Sequence, residues 1–236
     1  MSAMASPPPA AAALAPDALD RGNASGRATR ELLIRTAERL FAERGIDAVS
    51  LREIGQAAGQ RNNAATQYHF GTRAGLLQAI YAHRSAAIDQ RRRELLDGLE
   101  AEGRLGDADA LLAAVLAPHV ESLGDPDNEF VGFLARVLTD EATMSTVAAQ
   151  AAAPHMGGYD ELQRHIRACA PGLTPAQFDR RFTMIFGWAI HALAEYARSR
   201  RGSPVMPLED MSNELVAMLV SALRVEAPRR RRLRRS

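Results

Sequence analysis

No stretch of this chain alternates apolar and polar residues in the way a half-buried strand requires. Where apolar residues recur, they recur three and four positions apart, the spacing that puts them on one face of a helix. Leu33, Ala37, Leu40 and Phe41 fall at i, i+4, i+7 and i+8. The same period returns in Leu76, Leu77, Ile80 and Tyr81, in Phe130, Phe133, Leu134 and Val137, and in Met211, Leu215, Met218, Leu219 and Ala222. The widest stripe runs through Phe178, Phe182, Ile185, Trp188, Ala189, Ala192 and Tyr196. Ala, Leu, Arg and Glu are abundant and β-branched runs are missing, so local preference agrees with the period. The expected fold class is all-α.

Turn and cap residues divide the pattern into helices. Residues 1–26 are rich in Pro, Ala, Ser and Gly, carry no period, and are expected to be a disordered N-terminal segment. A first helix runs from Arg27 to Glu43-Arg44-Gly45, where Gly45 suits a left-handed cap. Ser50-Leu51-Arg52-Glu53 has the form of a capping box and opens a second helix that buries Leu51, Ile54 and Ala58. Gly59 closes it, a short polar third helix follows, and Thr72 after Gly71 caps a long fourth helix over about 73–100. Further helices are predicted over 107–123, where Pro118 should kink or end the helix, and over 128–140 and 159–169. The last two span 175–200, with Thr174 as cap and Pro175 in the first turn, and 208–225. Residues 142–158 receive no assignment. The expected domains are a helix-turn-helix unit at 27–72, a larger helical body at 73–227 and a basic tail at 228–236.

The charge is segregated along this plan. Residues 27–73 hold eight Arg and five acids, residues 74–227 hold 14 Arg and 21 acids, and residues 229–235 hold six Arg and no acid. A basic module, an acidic body and a basic tail imply that a polyanion meets the ends rather than the middle. The single cysteine, Cys169, excludes an internal disulfide and fits a reducing compartment. No apolar run reaches membrane-spanning length, and the N-terminus lacks a basic start before an apolar block. The expectation is a soluble, cytoplasmic protein.

Arg61 to Arg73, RNNAATQYHFGTR, is crowded with hydrogen-bonding side chains where core residues would ordinarily stand. A helix that lies in a DNA major groove needs such a surface. Asn and Gln can bond adenine in a bidentate manner, and Thr can meet a thymine methyl or a base edge. Tyr, His and Arg reach phosphates, which sets register rather than sequence preference. Phe70 is the exception and is expected to point inward.

The segment AERLFAERGIDAVSLREIGQAAG, continued by YHFGTRAGLLQAI, resembles the DNA-binding domain of the tetracycline-repressor (TetR) family over about residues 27–82. The resemblance rests on Leu40-Phe41, Glu43-Arg44-Gly45, Ser50, Arg52-Glu53-Ile54, Ala58-Gly59, His69-Phe70-Gly71, Arg73 and Leu76-Leu77. It implies an N-terminal three-helix helix-turn-helix domain followed by a larger helical ligand-binding and dimerisation domain. It also implies a regulator, most often a repressor, that binds a pseudo-palindromic operator in double-stranded DNA as a homodimer and is released by a small-molecule effector. Carried over by position, Thr66 and Gln67 read bases, Tyr68, His69 and Arg73 contact phosphates, Thr72 and Arg73 offer a helix N-terminus to phosphate, and Arg52 is a further backbone contact. Gln67 stands where the family usually has Tyr, and the run from Gly59 to Phe70 is one residue longer than usual. Which of Arg61, Asn62 and Asn63 reaches a base therefore stays open.

The resemblance implies that the last two helices pair with their copies in a four-helix interface. For a ligand pocket the candidates are Phe130, Phe133, Phe182, Phe186, Trp188 and His191, although plain core or dimer interface would explain the same aromatic residues. Arg91-Arg92-Arg93 is expected to be a solvated helix face. No phosphate loop, nucleophile motif or metal-ligand spacing is present, so no enzyme activity, cofactor or metal is expected. Two rivals remain: an architectural DNA binder that works through the Arg-rich tail without an effector, and a small-molecule carrier or enzyme on a helical scaffold.

Overall fold

The computed structural model describes residues 24–60, 64–140, 142–145, 147, 157–200 and 206–225. The described elements are helical: α1 (Ala24–Arg44), α2 (Leu51–Ala57), α3 (Ala65–Phe70), α4 (Arg73–Ala101), α5 (Ala108–Ser122), α6 (Phe130–Val137), α7 (Gly157–Ala168), α8 (Pro175–Ser199) and α9 (Leu208–Arg224). None is long and apolar enough to cross a membrane. The all-α expectation holds, and the basic tail at 228–236 lies outside the described residues.

The caps form as the residue types require. Ser50 Oγ accepts from the Glu53 amide at 3.2 Å, and the Glu53 carboxylate accepts from the Ser50 amide at 3.3 Å. Thr174 and Gln177 repeat that box at the head of α8. Thr72 caps α4 and Asp107 caps α5. Several boundaries differ from expectation: α6 spans only Phe130–Val137, and α7 begins at Gly157. Helix α1 already begins at Ala24, so residues 24–26 belong to it. Helix α5 passes through Pro118 and ends at Ser122. Pro118 removes one backbone donor from the helix, and its ring is buried in the body.

Helices α1 to α3 form a small unit around Leu33, Ile34, Ala37, Phe41, Val49 and Ile54, all essentially inaccessible. That core is continuous with the core of the larger body. Two joints fasten the units. Phe41 of α1 stacks on Phe133 of α6 with ring centroids 6.3 Å apart. A Cβ on Gly132 would stand 2.9 Å from the Ala42 Cβ, so the bare backbone of α6 seats directly on the Ala42 methyl of α1 there. Beside this seam Glu38, 1% exposed, accepts both prongs of the Arg84 guanidinium at 2.8 and 2.9 Å and the Glu129 amide at 3.1 Å. One carboxylate thus joins α1, α4 and the residue that precedes α6.

At the far end α8 packs against α9, where the Arg181 guanidinium collects the terminal carbonyls of α9 from Ala222, Leu223 and Val225.

Candidate functional site

Helix α3 is six residues long and shows two faces. Gln67 and Tyr68 face solvent, and Tyr68 is 74% exposed, a large aromatic side chain without cover. His69 is half-buried, with its ring edge-on to Tyr68 at 5.3 Å. Phe70 turns inward as expected and is half-buried beneath the Arg30 guanidinium, 5.4 Å from the ring centroid.

Thr66 does not join the outward set. It is fully buried, and its Oγ1 lies 3.1 Å from where a Cβ on Gly55 would stand. Its hydroxyl has no hydrogen-bond partner among the described residues. Thr66 and Phe70 are four residues apart, so they share the inner face of α3. The expectation that Thr66 reads bases is corrected: it spaces α3 from α2. Arg61, Asn62 and Asn63 lie outside the described residues.

Gly71, at φ +67°, ends α3 in the left-handed region and turns the chain directly into α4. Thr72 is exposed, and its Oγ1 accepts from the Gly75 amide at 3.0 Å, as an N-cap should. Arg73 donates to the Ile46 carbonyl at 2.8 Å and to Asp47 Oδ1 at 3.3 Å, tying α4 to the loop between α1 and α2. It therefore sits at the edge of the outward face with part of its fork already engaged. Arg52 is exposed in the first turn of α2. Next to it Arg44 holds the Glu53 carboxyl below its ordinary range, mainly through a 2.7 Å hydrogen bond. That bond fixes α2 on the end of α1.

The second site is a chamber of about 220 Å³ inside the body. Tyr81, Ser85, Ile88 and Arg92 of α4 line one wall at i, i+4, i+7 and i+11. Phe130, Leu134 and Val137 of α6, Tyr159 of α7 and Phe186 of α8 supply most of the rest, with His119 of α5 beside Phe130. Arg92 is 4% exposed. Its Nε and Nη2 donate to the Val115 carbonyl at 3.3 and 3.1 Å, Nη2 also meets His119 Nε2 at 3.1 Å, and the guanidinium lies 5.0 Å from the Tyr159 ring centroid. Since Nη2 can only donate, Nε2 accepts and the imidazole proton sits on Nδ1. Burial and the neighbouring guanidinium hold the His119 pKa well below its ordinary value. Burial pushes the Tyr159 phenol up to about 12.

Of the six pocket candidates, Phe130 and Phe186 line the chamber. Phe133 is sealed in the seam against Phe41, and Phe182 is sealed between Phe178 and Phe186. Trp188 and His191 are exposed on the outer side of α8, in line with Met184 at i, i+4 and i+7. These four assignments are corrected. Tyr81, Arg92, His119 and Tyr159 were missed. The signal available for Arg92 was its place on the α4 stripe, which the surrounding arginines hid.

Residues 33–80 match the family of bacterial regulatory proteins of the tetR type. Among curated protein sequences none matches the chain. The fold is similar to that of a putative tetR family transcription regulator from Shewanella sp. PV-4, with 18% identity over 82% of this chain and 97% of the other and a TM-score of 0.57. A transcriptional regulator from Rhodococcus sp. Rha1 is similar at 19% identity over 81% and 96%, with a TM-score of 0.53. NalD, the secondary repressor of the MexAB-OprM multidrug efflux pump in Pseudomonas aeruginosa, is similar at 20% identity over 83% and 95%, with a TM-score of 0.51.

Proposed function

We infer that this chain, which belongs to the tetR family of bacterial regulatory proteins, is a dimeric repressor that a small molecule releases from DNA. The observation that carries the reading is the direct two-residue link between the outward helix and the helix that walls the chamber. The outward side chains Gln67 and Tyr68 stand on α3, which passes through Gly71 straight into α4, and α4 then forms a wall of the internal chamber. Two copies join through α8 and α9, whose exposed Met184, Trp188 and Met218 are an apolar surface that one subunit leaves open. Each α3 enters a major groove, and the two half-sites lie about 34–36 Å apart, one turn of the duplex. Gln67 reads a base edge, while Tyr68, His69, Arg73 and Arg52 hold the backbone. The effector acts only so far as it binds the chamber better in the DNA-free arrangement, because nothing but differential affinity moves the equilibrium. The protein works in the cytoplasm, where its DNA is.

Affinity selection of sheared genomic DNA on the purified full chain, at physiological salt, tests this. A few sharp sites that share an inverted repeat are expected. Broad capture with no shared motif overturns the reading in favour of sequence-tolerant binding, and deletion of 228–236 then shows whether the Arg-rich tail supplies it.

A further inference from the structure

Arg92 is the feature of the chamber that packing alone does not account for. Taking a guanidinium out of water is costly, and an apolar side chain of similar size would fill the same space without that cost. The compensation on hand is incomplete. Among the described residues no carboxylate forms an ion pair with Arg92; it has one backbone carbonyl, one imidazole nitrogen and one aromatic face. The carboxylate in electrostatic range is Asp89. Asp89 is fully buried and engaged elsewhere: it accepts from the Tyr159 amide at 3.1 Å and pairs with Arg93. His119 adds a second donor, because its buried Nδ1–H has no acceptor among the described residues. Around these groups the wall is mostly carbon, from Ile88, Phe130, Leu134, Val137 and Phe186, with hydroxyls from Tyr81, Ser85, Tyr159 and Thr183 also among the lining residues.

We propose that the chamber receives a small, largely apolar monocarboxylic acid, with its carboxylate on the Arg92 guanidinium and its body against Phe130, Leu134, Val137 and Phe186. The proposal names the chemical class of the effector and so rests on the reading of this chamber as the effector site. Three considerations narrow the class. A neutral molecule leaves the desolvated cation as it is, and a cation is repelled by it. A phosphate monoester brings nearly two charges to a wall that holds one unpaired cation. The chamber, at about 220 Å³, exceeds the roughly 150 Å³ of a cavity that admits benzene and falls short of the roughly 300–1,000 Å³ of drug-sized sites. A single ring or a medium acyl chain with one carboxylate has the right bulk.

The test is calorimetric titration of the full-length protein, without DNA, using phenylacetate, 4-phenylbutyrate and octanoate, each against its primary amide and the matching amine. At least one acid is expected to bind about tenfold or more tightly than its amide and amine, the ratio that one charge-assisted hydrogen-bonded pair supports. Arg92→Met should reduce that preference to near unity while the amides bind as before. Arg92→Lys, which keeps the charge and loses the fork, should retain part of it. If the amides or amines bind as tightly as the acids, or if no acid binds at millimolar concentration, the proposal is wrong. A preference that persists in Arg92→Met also overturns it, and the wild-type series decides the matter even if that variant fails to fold. The DNA measurement is separate. Acids that bind without displacing a selected DNA site support this proposal and refute effector release; specific DNA binding by a protein indifferent to acids does the reverse.

Discussion

The carboxylate of Glu38 is the sharpest place to test how the DNA-binding unit is held to the body. It is 1% exposed and accepts three hydrogen bonds, two of them from Arg84. Arg84→Met removes both charged donors and strands the carboxylate on the single Glu129 amide. Breaking a buried pair from one side costs about 3–5 kcal/mol, a large share of the roughly 5–15 kcal/mol that stabilises a typical domain. Glu38→Met should cost less, because the Arg84 side chain is 17% exposed and can turn towards water. The double variant replaces the pair with apolar groups and should lie within about 1–2 kcal/mol of the parent, the remainder being the lost hydrogen bond from the Glu129 amide to the Glu38 carboxylate. The coupling energy of the cycle is then about 2 kcal/mol or more. Urea unfolding followed by far-ultraviolet circular dichroism measures it. All four proteins must be at one chain concentration, since a dimer's apparent stability depends on it. A coupling below about 0.5 kcal/mol, with the single costs simply adding, would refute the idea that this pair is a joint.

Gln67→Ala should relax the sequence preference of selected DNA, whereas Thr66→Val should leave it intact and raise stability by about 1 kcal/mol through loss of an unpartnered buried hydroxyl. Altered base preference in Thr66→Val would restore Thr66 as a base reader. His119 is neutral in the folded chain, with its pKa depressed by burial, so below about pH 6.5 the unfolded chain takes up a proton that the folded chain refuses. Stability should therefore fall as pH drops through that range, by at most about 1.4 kcal/mol per pH unit from this group, and His119→Gln should flatten the slope in urea titrations; equal slopes would refute it. Met184→Glu with Met218→Glu, both at exposed positions, should shift sedimentation from dimer towards monomer without loss of helix, and an unchanged dimer would place the interface elsewhere.

What was legible in the sequence was whatever depends on neighbours along the chain. The box of Ser50 with Glu53, the Thr72 cap and the Thr174 cap each set a helix start through contacts within four residues, and all three appear as expected. The errors concern which way a side chain turns. Arg91, Arg92 and Arg93 look alike in sequence, but each step around a helix is about 100°. Arg91 therefore pairs with Glu121 at the surface, Arg93 with Asp89, and Arg92 enters the body. Phe186 and Trp188 likewise stand together as pocket candidates in sequence, yet two steps set them on opposite sides of α8, one in the chamber and one outside. Thr66 was misjudged because residue type was weighed above position. Its spacing from Phe70 already marked it as inward.

A stiff helix that turns about a buried contact is a lever, and among the several contacts of α4 the Arg84–Glu38 pair lies between the chamber wall at Arg92 and the tie of Arg73 to the α1–α2 loop, the place of a fulcrum. Arg92 stands eight residues beyond that fulcrum, about 12 Å along the axis, and Arg73 stands eleven residues before it, about 16 Å. A ligand that pushes the long wall of the chamber aside by 1 Å would then swing the head of α4 about 1.4 Å the other way. In the proposed dimer, where a twofold rotation relates the two subunits, such displacements add when they lie along the line between the two α3 helices, so the spacing between those helices would change by as much as about 3 Å. That exceeds the precision with which a bidentate contact reads a base, so even a small molecule confined to a small chamber has leverage enough to take both helices out of register with the duplex.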